Sequence, residues 1–481
     1  MSLVSLEYLI LITAGSLIFY HVKGKAQRFC MFALSMLFVL SFSIWAAVSV
    51  ILASFIAWRA ALWISGTEDK KKRKVRTELG MILLIAQLFV LKYLPGLPWN
   101  HASLFLKFAY PVGISYYTLM LIGYVLDVDW KRTPADSSFF SILLTSSWFP
   151  QIVQGPIGKV QEISAQMSQD RIFELHAFKY GLQRVLWGIF QKTVIADRIG
   201  LVINSFFLPD RAGLDLIWGL ILYSIQLYAD FSGGIDIILG TSECFGIQLP
   251  ENFRQPYFSA TLGEFWRRWH ISLGKWMKDY VFFPFSAGSF SQKLNRKLRK
   301  SGVTRKQAAR VSIAIGNLIV FTLVGFWHGG KSKYIGWGIY NGIILAASAL
   351  LEGWFIEIRE KMHLRGKLWN ISRIFRTYVI VLIGYLFDCT EDAGHAWNAF
   401  LRVFSPGFHG IGFSLSDLTI LALAVLSVFI VDLLHERNVS IRDSISSWSY
   451  GKQAVFWTVL IQIVACAGRV SSAGGFLYES F

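Results

Sequence analysis

An all-α protein that crosses a membrane many times is the fold class this sequence predicts, and three observations carry it. Of 481 residues, 54% are hydrophobic and only 16% charged, whereas a soluble domain carries about 25% charged residues. Several apolar runs reach about 18 residues or more, long enough for a helix to cross a bilayer. The formal net charge of +17 sits in short segments between those runs, as the positive-inside bias requires. Such a composition excludes a disordered chain, a collagen-like chain and an ordinary soluble enzyme. Topology accounts for the basic charge, so the expected surroundings are membrane lipids and no nucleic acid. Cys30, Cys244, Cys389 and Cys466 stand apart without a Cys-x-x-Cys pair, which gives neither a disulfide framework nor a metal site.

The first apolar run, about Leu3 to Tyr20, has Glu7 near its start and Lys23, Lys25 and Arg28 behind it. A cleavable signal peptide carries the opposite charge order, so this run is expected to remain as a helix. Phe29 to Ile64 is too long for one crossing at about 20 residues. The DKKKRKVR run from Asp69 to Arg76 reads as a cytoplasmic loop on the same side as Lys23 and Arg28. Two short spans then fit between them, and the N-terminus falls outside. Further spans are expected near Leu79–Leu94, Phe108–Val128, Phe139–Val153, Phe178–Ile195 and Leu214–Leu227. Pro111, Pro150 and Pro156 reduce some of these to partial crossings.

Lys293 to Lys306 reads as a second basic loop in the cytoplasm. Ala308–Phe326, Ile335–Ile356, Tyr378–Phe387, Leu418–Leu434 and Ala454–Ala467 then alternate in direction. The stretch from Gly468 onward is therefore expected outside. The sum is about eleven membrane-embedded helices at the usual span length. They form a single integral-membrane domain over 1–481, with no internal repeat and no low-complexity segment.

Ionisable residues at membrane depth are expensive and are functional candidates by default. His328 ends the run LIVFTLVGFWHGG, among Phe326, Trp327, Gly329 and Gly330. The glycines would let a ligand approach the backbone. An apolar surrounding keeps the imidazole neutral, the form a general base needs. The plainer alternative is an interfacial histidine hydrogen-bonded to a neighbouring helix.

Thr261 to Phe285 places Leu262, Trp266, Trp269, Leu273, Trp276 and Tyr280 at three- and four-residue spacing. That spacing predicts one amphipathic helix with Arg267, Arg268, Lys275 and Lys278 on its other side. A basic face of this kind meets anionic lipid, or it attracts a phosphate-bearing cofactor. On such a helix His270 shares a face with Trp266. In the stretch Tyr228-Ala-Asp-Phe-Ser-Gly-Gly-Ile-Asp236, the Ser-Gly-Gly reads as a break or a close-packing point. Asp230 and Asp236 are expected to pair with a cation, Arg267 or Arg268 being candidates.

Five motifs follow one another in order: PVGISYY from Pro111, FPQIVQGPI from Phe149, YADFSG from Tyr228, EFWRRWHIS from Glu264 and GFWHG from Gly325. Together, over about residues 108–340, they resemble the membrane-bound O-acyltransferase (MBOAT) family. The likeness is to its bacterial branch of polysaccharide O-acetylases and teichoic-acid D-alanylation proteins. The resemblance implies a ring of tilted helices around a thinned centre in a bacterial cell membrane. A cytoplasmic funnel there meets an extracytoplasmic one at His328, the family's membrane histidine, with His270 as the second site residue. It implies acetyl-CoA as acyl donor and no permanently bound cofactor. Trp266, Arg267, Arg268, Trp269, Trp327 and Gly329 would line the donor's path. On this reading the protein O-acetylates an exported polysaccharide. D-alanyl transfer from a carrier-protein thioester is the nearest alternative. A polysaccharide or lipid transporter is the alternative of another class, and the paired halves a common transporter shows are missing from this sequence.

The end of the sequence carries a last candidate. Ser471-Ser-Ala-Gly-Gly475 reads as a flexible tether before Phe476-Leu-Tyr-Glu-Ser-Phe481. The aromatics suit an interfacial anchor, and they also suit a mobile nucleophile. A phenol is weak at neutral pH but becomes competent beside a neutral histidine base, so Tyr478 is a candidate acyl carrier, with Phe476 and Phe481 docking in the outer funnel. The ending resembles the C-terminal motif of the family's single-chain O-acetylases. That likeness implies an extracytoplasmic partner acetyltransferase of the SGNH-hydrolase type.

Overall fold

The computed structural model describes residues 1–94, 112–469 and 475–477. Among these the chain is helical with no strand, apart from one isolated bridge between Phe253 and Trp269. Seven helices among the described residues are long and apolar enough to cross a bilayer: Ile44–Ser65, Leu214–Cys244, Arg305–His328, Ser332–Lys361, Gly366–Cys389, Leu415–Glu436 and Tyr450–Ala467. Their outward faces carry large apolar side chains, such as Leu423, Leu426 and Phe429 on Leu415–Glu436, as a lipid-facing surface requires.

The basic segments Asp69–Arg76 and Lys293–Lys306, expected as loops, are largely helical. Asp69 accepts from the backbone N–H of Lys71 and Lys72 and so caps the Lys70–Leu88 helix, whose first turns are the basic run itself. Lysine and arginine are good helix formers once a cap satisfies the first amides. Lys293–Lys300 likewise lies in the Ser289–Lys300 helix. The next helix starts at a capping box of Thr304 and Gln307. The expected span Phe139–Val153 is cut short, since the helix ends at Ser146. Residues 147–159 are non-helical, and 147–158 are wholly buried. Irregular backbone survives at membrane depth when protein surrounds it.

The chain divides into two compact units. One comprises Met1–Val194, Ala229–Glu251 and Ser440–Ser480. Its centre is the Ile114–Asp129 helix, in which every residue from Ile114 to Val125 is buried. Ile44–Ser65 and Lys70–Leu88 pack against it. The Ile44–Ser65 helix buries a stripe of small residues, including Ala46, Ala53, Ala57 and Ala61, which lets neighbouring backbones approach. Within this unit the Leu175–Phe190 helix crosses the Ala229–Cys244 part of the long helix at two glycine pairs. A Cβ on Gly188 would lie 2.3 Å from the Gly233 carbonyl, and one on Gly181 would lie 2.6 Å from that of Gly240. The helix runs unbroken through Ser232-Gly-Gly, so those glycines are a packing contact and not a break.

The other unit comprises Ile195–Tyr228 and Asn252–Val439. Its framework is the antiparallel pair Arg305–His328 and Ser332–Lys361, joined by a short turn and packed closely along its length. Gly325 and Gly338 meet at the seam, where a Cβ on Gly325 would stand 2.5 Å from the Tyr334 carbonyl. Gly366–Cys389 packs on the second of these helices.

Candidate active site

His328 is the last residue of the Arg305–His328 helix, and Gly329 continues in extended backbone. A β-carbon at Gly329 would strike the Tyr334 ring at 2.7 Å, so glycine is what lets this ring lie beside the turn. The His328 imidazole is 8% exposed. It meets Trp327 and Trp337 edge-on at 5.0 and 5.3 Å between centroids, and stacks on Tyr334 at 6.3 Å. The helix end, the glycine turn and the first turns of the next helix thus build an aromatic box around one imidazole.

The second histidine reaches this box by a route that helical spacing does not describe. The expected amphipathic helix is broken. Leu262–Arg268 ends at Trp269, His270 takes left-handed backbone at φ 49°, and Ile271–Met277 starts a new helix. A π-helical turn over Lys278–Phe282 and a short helix Phe283–Ala287 follow. His270 therefore does not share a helical face with Trp266. The cause is Asn252, which is fully buried. Its side-chain carbonyl accepts from Ser272 N–H at 3.0 Å, Ser272 Oγ at 2.8 Å and His270 Nδ1 at 3.3 Å. The Asn252 backbone carbonyl accepts from Ile271 N–H at 3.0 Å. Three amides and hydroxyls drawn to one residue pull the chain out of helix. With its proton on Nδ1, the neutral His270 ring carries its lone pair on Nε2. The ring is 4% exposed and meets Trp327 at 6.0 Å. Trp327 is thus in contact with both imidazoles.

The remaining expected site residues divide. Trp266 packs edge-on against Trp337 at 5.4 Å and Phe321 at 5.3 Å. Its buried Nε1 has no hydrogen-bond partner among the described residues. Trp269 stacks on Phe265 at 5.6 Å. Arg268 is held by two carboxylates, Glu264 at 2.7 Å and Glu436 at 2.6 Å, whereas Arg267 is exposed.

The aspartates do not pair with Arg267 or Arg268. Asp236 accepts from Arg184 Nε at 2.8 Å and Gln191 Nε2 at 3.0 Å. Asp230 accepts from Lys192 Nζ at 2.7 Å, with both side chains almost fully buried. The glycine crossings bring these helices close enough for the short reach. Tyr478, Phe481 and most of the expected tether lie outside the described residues. The described Gly475–Leu477 is held at the Lys192–Asp230 pair.

The sequence pattern described as MBOAT, membrane-bound O-acyltransferase family, matches residues 32–389. The chain belongs to this family. It is a multi-pass membrane protein, and the match contains His270, His328, Lys192 and Asp230. The chain is similar to the probable alginate O-acetylase of Pseudomonas syringae pv. tomato, 30% identical over 319 residues, 66% of this chain and 55% of that one. It is 31% identical to the peptidoglycan O-acetyltransferase of Helicobacter pylori over 60% of this chain and 57% of the relative. Against the teichoic acid D-alanyltransferase of Bacillus subtilis it is 26% identical over 58% of this chain and 66% of the relative. The match thus spans little more than half the length of the two O-acetylating relatives.

Within this MBOAT chain, sequence reading passed over Asn252, Tyr334, Trp337 and Lys192. For Lys192 a signal was present, a lone lysine in the apolar run from Val185 to Ile195. For the others no local pattern separates a site residue from ordinary polar or aromatic packing.

Proposed function

We propose that this protein is a membrane O-acetyltransferase that moves acetyl from cytoplasmic acetyl-CoA across the membrane for O-acetylation of an exported or cell-surface polysaccharide. The observation that carries the reading is the pair of buried imidazoles, His328 and His270, set against one indole, Trp327. His328 acts as general base. It takes the proton of an acceptor hydroxyl, whose oxygen attacks the thioester carbonyl carbon. The carbon–sulfur bond then breaks, and the departing thiolate takes the proton back from the imidazolium. His270, with its Nδ1–H directed at Asn252, presents an acceptor nitrogen that orients an N–H of the donor's pantetheine arm. Trp266, Trp327, Gly329 and the exposed Arg267 are the residues left to line the donor's path, whereas Arg268 is taken up by Glu264 and Glu436 and Trp269 packs on Phe265.

Tyr478 is the first acceptor in this reading. It leaves the site as an acetyl ester, and an extracytoplasmic acetyltransferase of the SGNH-hydrolase type passes the group to the polymer. The protein then sits in the bacterial cytoplasmic membrane with both ends outside. Transfer of D-alanine is the second reading, favoured by the similarity to D-alanyltransferases. The higher identity to O-acetylating relatives ranks it second.

The test is thioester cleavage by the purified protein, with acetyl-CoA in one arm and a D-alanyl carrier protein in the other. Consumption of acetyl-CoA together with an acetyl ester trapped on Tyr478 by mass spectrometry is the expected result. Cleavage of the carrier-protein thioester alone moves the assignment to D-alanyl transfer. Normal polymer acetylation by Tyr478→Phe removes the tyrosine from the pathway.

A further inference from the structure

The Lys192–Asp230 pair does more than neutralise itself. Lys192 Nζ donates to Asp230 Oδ1 at 2.7 Å and to the backbone carbonyl of Gly475 at 2.8 Å. Asp230 Oδ2 accepts the backbone N–H of Leu477 at 2.8 Å. The two ends of one ion pair therefore grip the carbonyl and the amide on either side of Phe476. That side chain is 3% exposed, and its ring lies 4.6 Å from the Lys192 ammonium, a cation–π contact.

The walls of this socket are built for the ring. A β-carbon on Gly234 would lie 3.0 Å from the Phe476 ring and 2.0 Å from Gln154 Nε2, so the missing side chain is what makes room for both. The Gln154 side chain is fully buried, and neither of its amide atoms has a hydrogen-bond partner among the described residues. Lys192 itself sits on the π-helical turn Gln191–Ala196. Such a turn widens the helix and re-aims a side chain, and it recurs at functional sites.

We infer that Lys192, Asp230 and Gly234 form a peptide-binding clamp for an aromatic side chain flanked by a free backbone carbonyl and a free backbone N–H. Its occupant is this chain's own Gly475–Leu477 segment. Docking there is reversible because the lysine and the aspartate bond each other directly. When the segment leaves, neither charge is left uncompensated, and the helices need not move. The clamp also sets register. By gripping the residues on each side of Phe476 it fixes the register of the Gly475–Leu477 segment. Its use in acyl transfer rests on the tyrosine reading above, whereas the docking itself does not. Lys192 and Asp230 are then positioning residues.

The experiment follows backbone hydrogen exchange of the 475–477 segment in the full chain in lipid nanodiscs, with the Ile114–Asp129 helix as internal reference. The wild-type segment is expected to be protected. Phe476→Ala, a change outside the helical core, is expected to exchange at least tenfold faster with the reference unchanged. Lys192→Met combined with Asp230→Leu is expected to do the same, since it removes both grips and both charges together. Asp230→Asn keeps a carbonyl acceptor and is expected to retain part of the protection, which a merely structural aspartate would not produce. Unchanged exchange in Phe476→Ala overturns the clamp, as does a protected segment in the folded double variant. If Tyr478→Phe acetylates normally while Phe476→Ala loses protection, the tyrosine chemistry fails and the clamp stands. If Phe476→Ala stays protected while Tyr478→Phe loses acetylation, the clamp fails and the tyrosine chemistry stands.

Discussion

The histidine site of one unit and the Lys192–Asp230 site of the other are both buried among apolar helices, yet they keep their polar groups by different means. Around His328 and His270 the neighbours include aromatic rings, a glycine and the neutral amide of Asn252. Around Lys192 and Asp230 the polar groups include the charge pair itself and two backbone groups of a bound segment. An imidazole set among aromatic rings is the kind of group that can act as a general base. The ion pair directs hydrogen bonds of fixed geometry at the carbonyl of Gly475 and the N–H of Leu477. The first arrangement suits chemistry and the second suits recognition.

This contrast can be broken or sharpened by substitution. The largest effect is expected at His328. His328→Gln keeps the volume and a hydrogen-bonding group but removes the base, and acyl transfer should fall about 100-fold or more. Thermal unfolding in detergent should be nearly unchanged. A variant that keeps a tenth of the rate would make His328 a structural residue and end the contrast.

At the charged site the order of effects should reverse, with stability moving first. Lys192→Met alone leaves a buried carboxylate without its cation, and the expected loss is about 3–5 kcal/mol. Adding Asp230→Leu should restore most of that stability, because replacing both charges by apolar groups is commonly neutral or favourable. A single variant as stable as the parent would show that the pair is hydrated and not a buried clamp.

Asn252 is the next test, because it is the polar support of the histidine site. Asn252→Leu removes the acceptor shared by His270 and Ser272. The acyl-transfer rate should fall about tenfold, the worth of one oriented hydrogen bond of about 1.4 kcal/mol. Asn252→Asp retains the acceptor and should recover activity in part. The smallest effect is expected at Arg267, which is exposed. Arg267→Ala should raise KM for acetyl-CoA about threefold or less, and added salt should erase the difference.

Much of this protein was legible in the sequence because bilayer crossing is a local property. A run of apolar residues needs no distant partner to be recognised, so the spans Arg305–His328, Ser332–Lys361, Leu415–Glu436 and Tyr450–Ala467 appear nearly where composition puts them, whereas Gly366–Cys389 starts well before the expected Tyr378. The position of His328 at a buried helix end was legible for the same reason: it ends an apolar run against two glycines. The tertiary structure decided what depends on a partner far along the chain. Helical spacing put His270 on the face of Trp266, but Asn252, 18 residues earlier, captures Ser272 and the His270 ring and breaks the helix. Asp230 and Asp236 advertised that they needed cations, yet their partners, Lys192 and Arg184, are set by where Gly188 meets Gly233 and Gly181 meets Gly240. Periodicity reports which face of a helix is apolar. Which polar side chain a buried charge will meet is settled only by the approach of two backbones, and that distance is a property of the folded molecule.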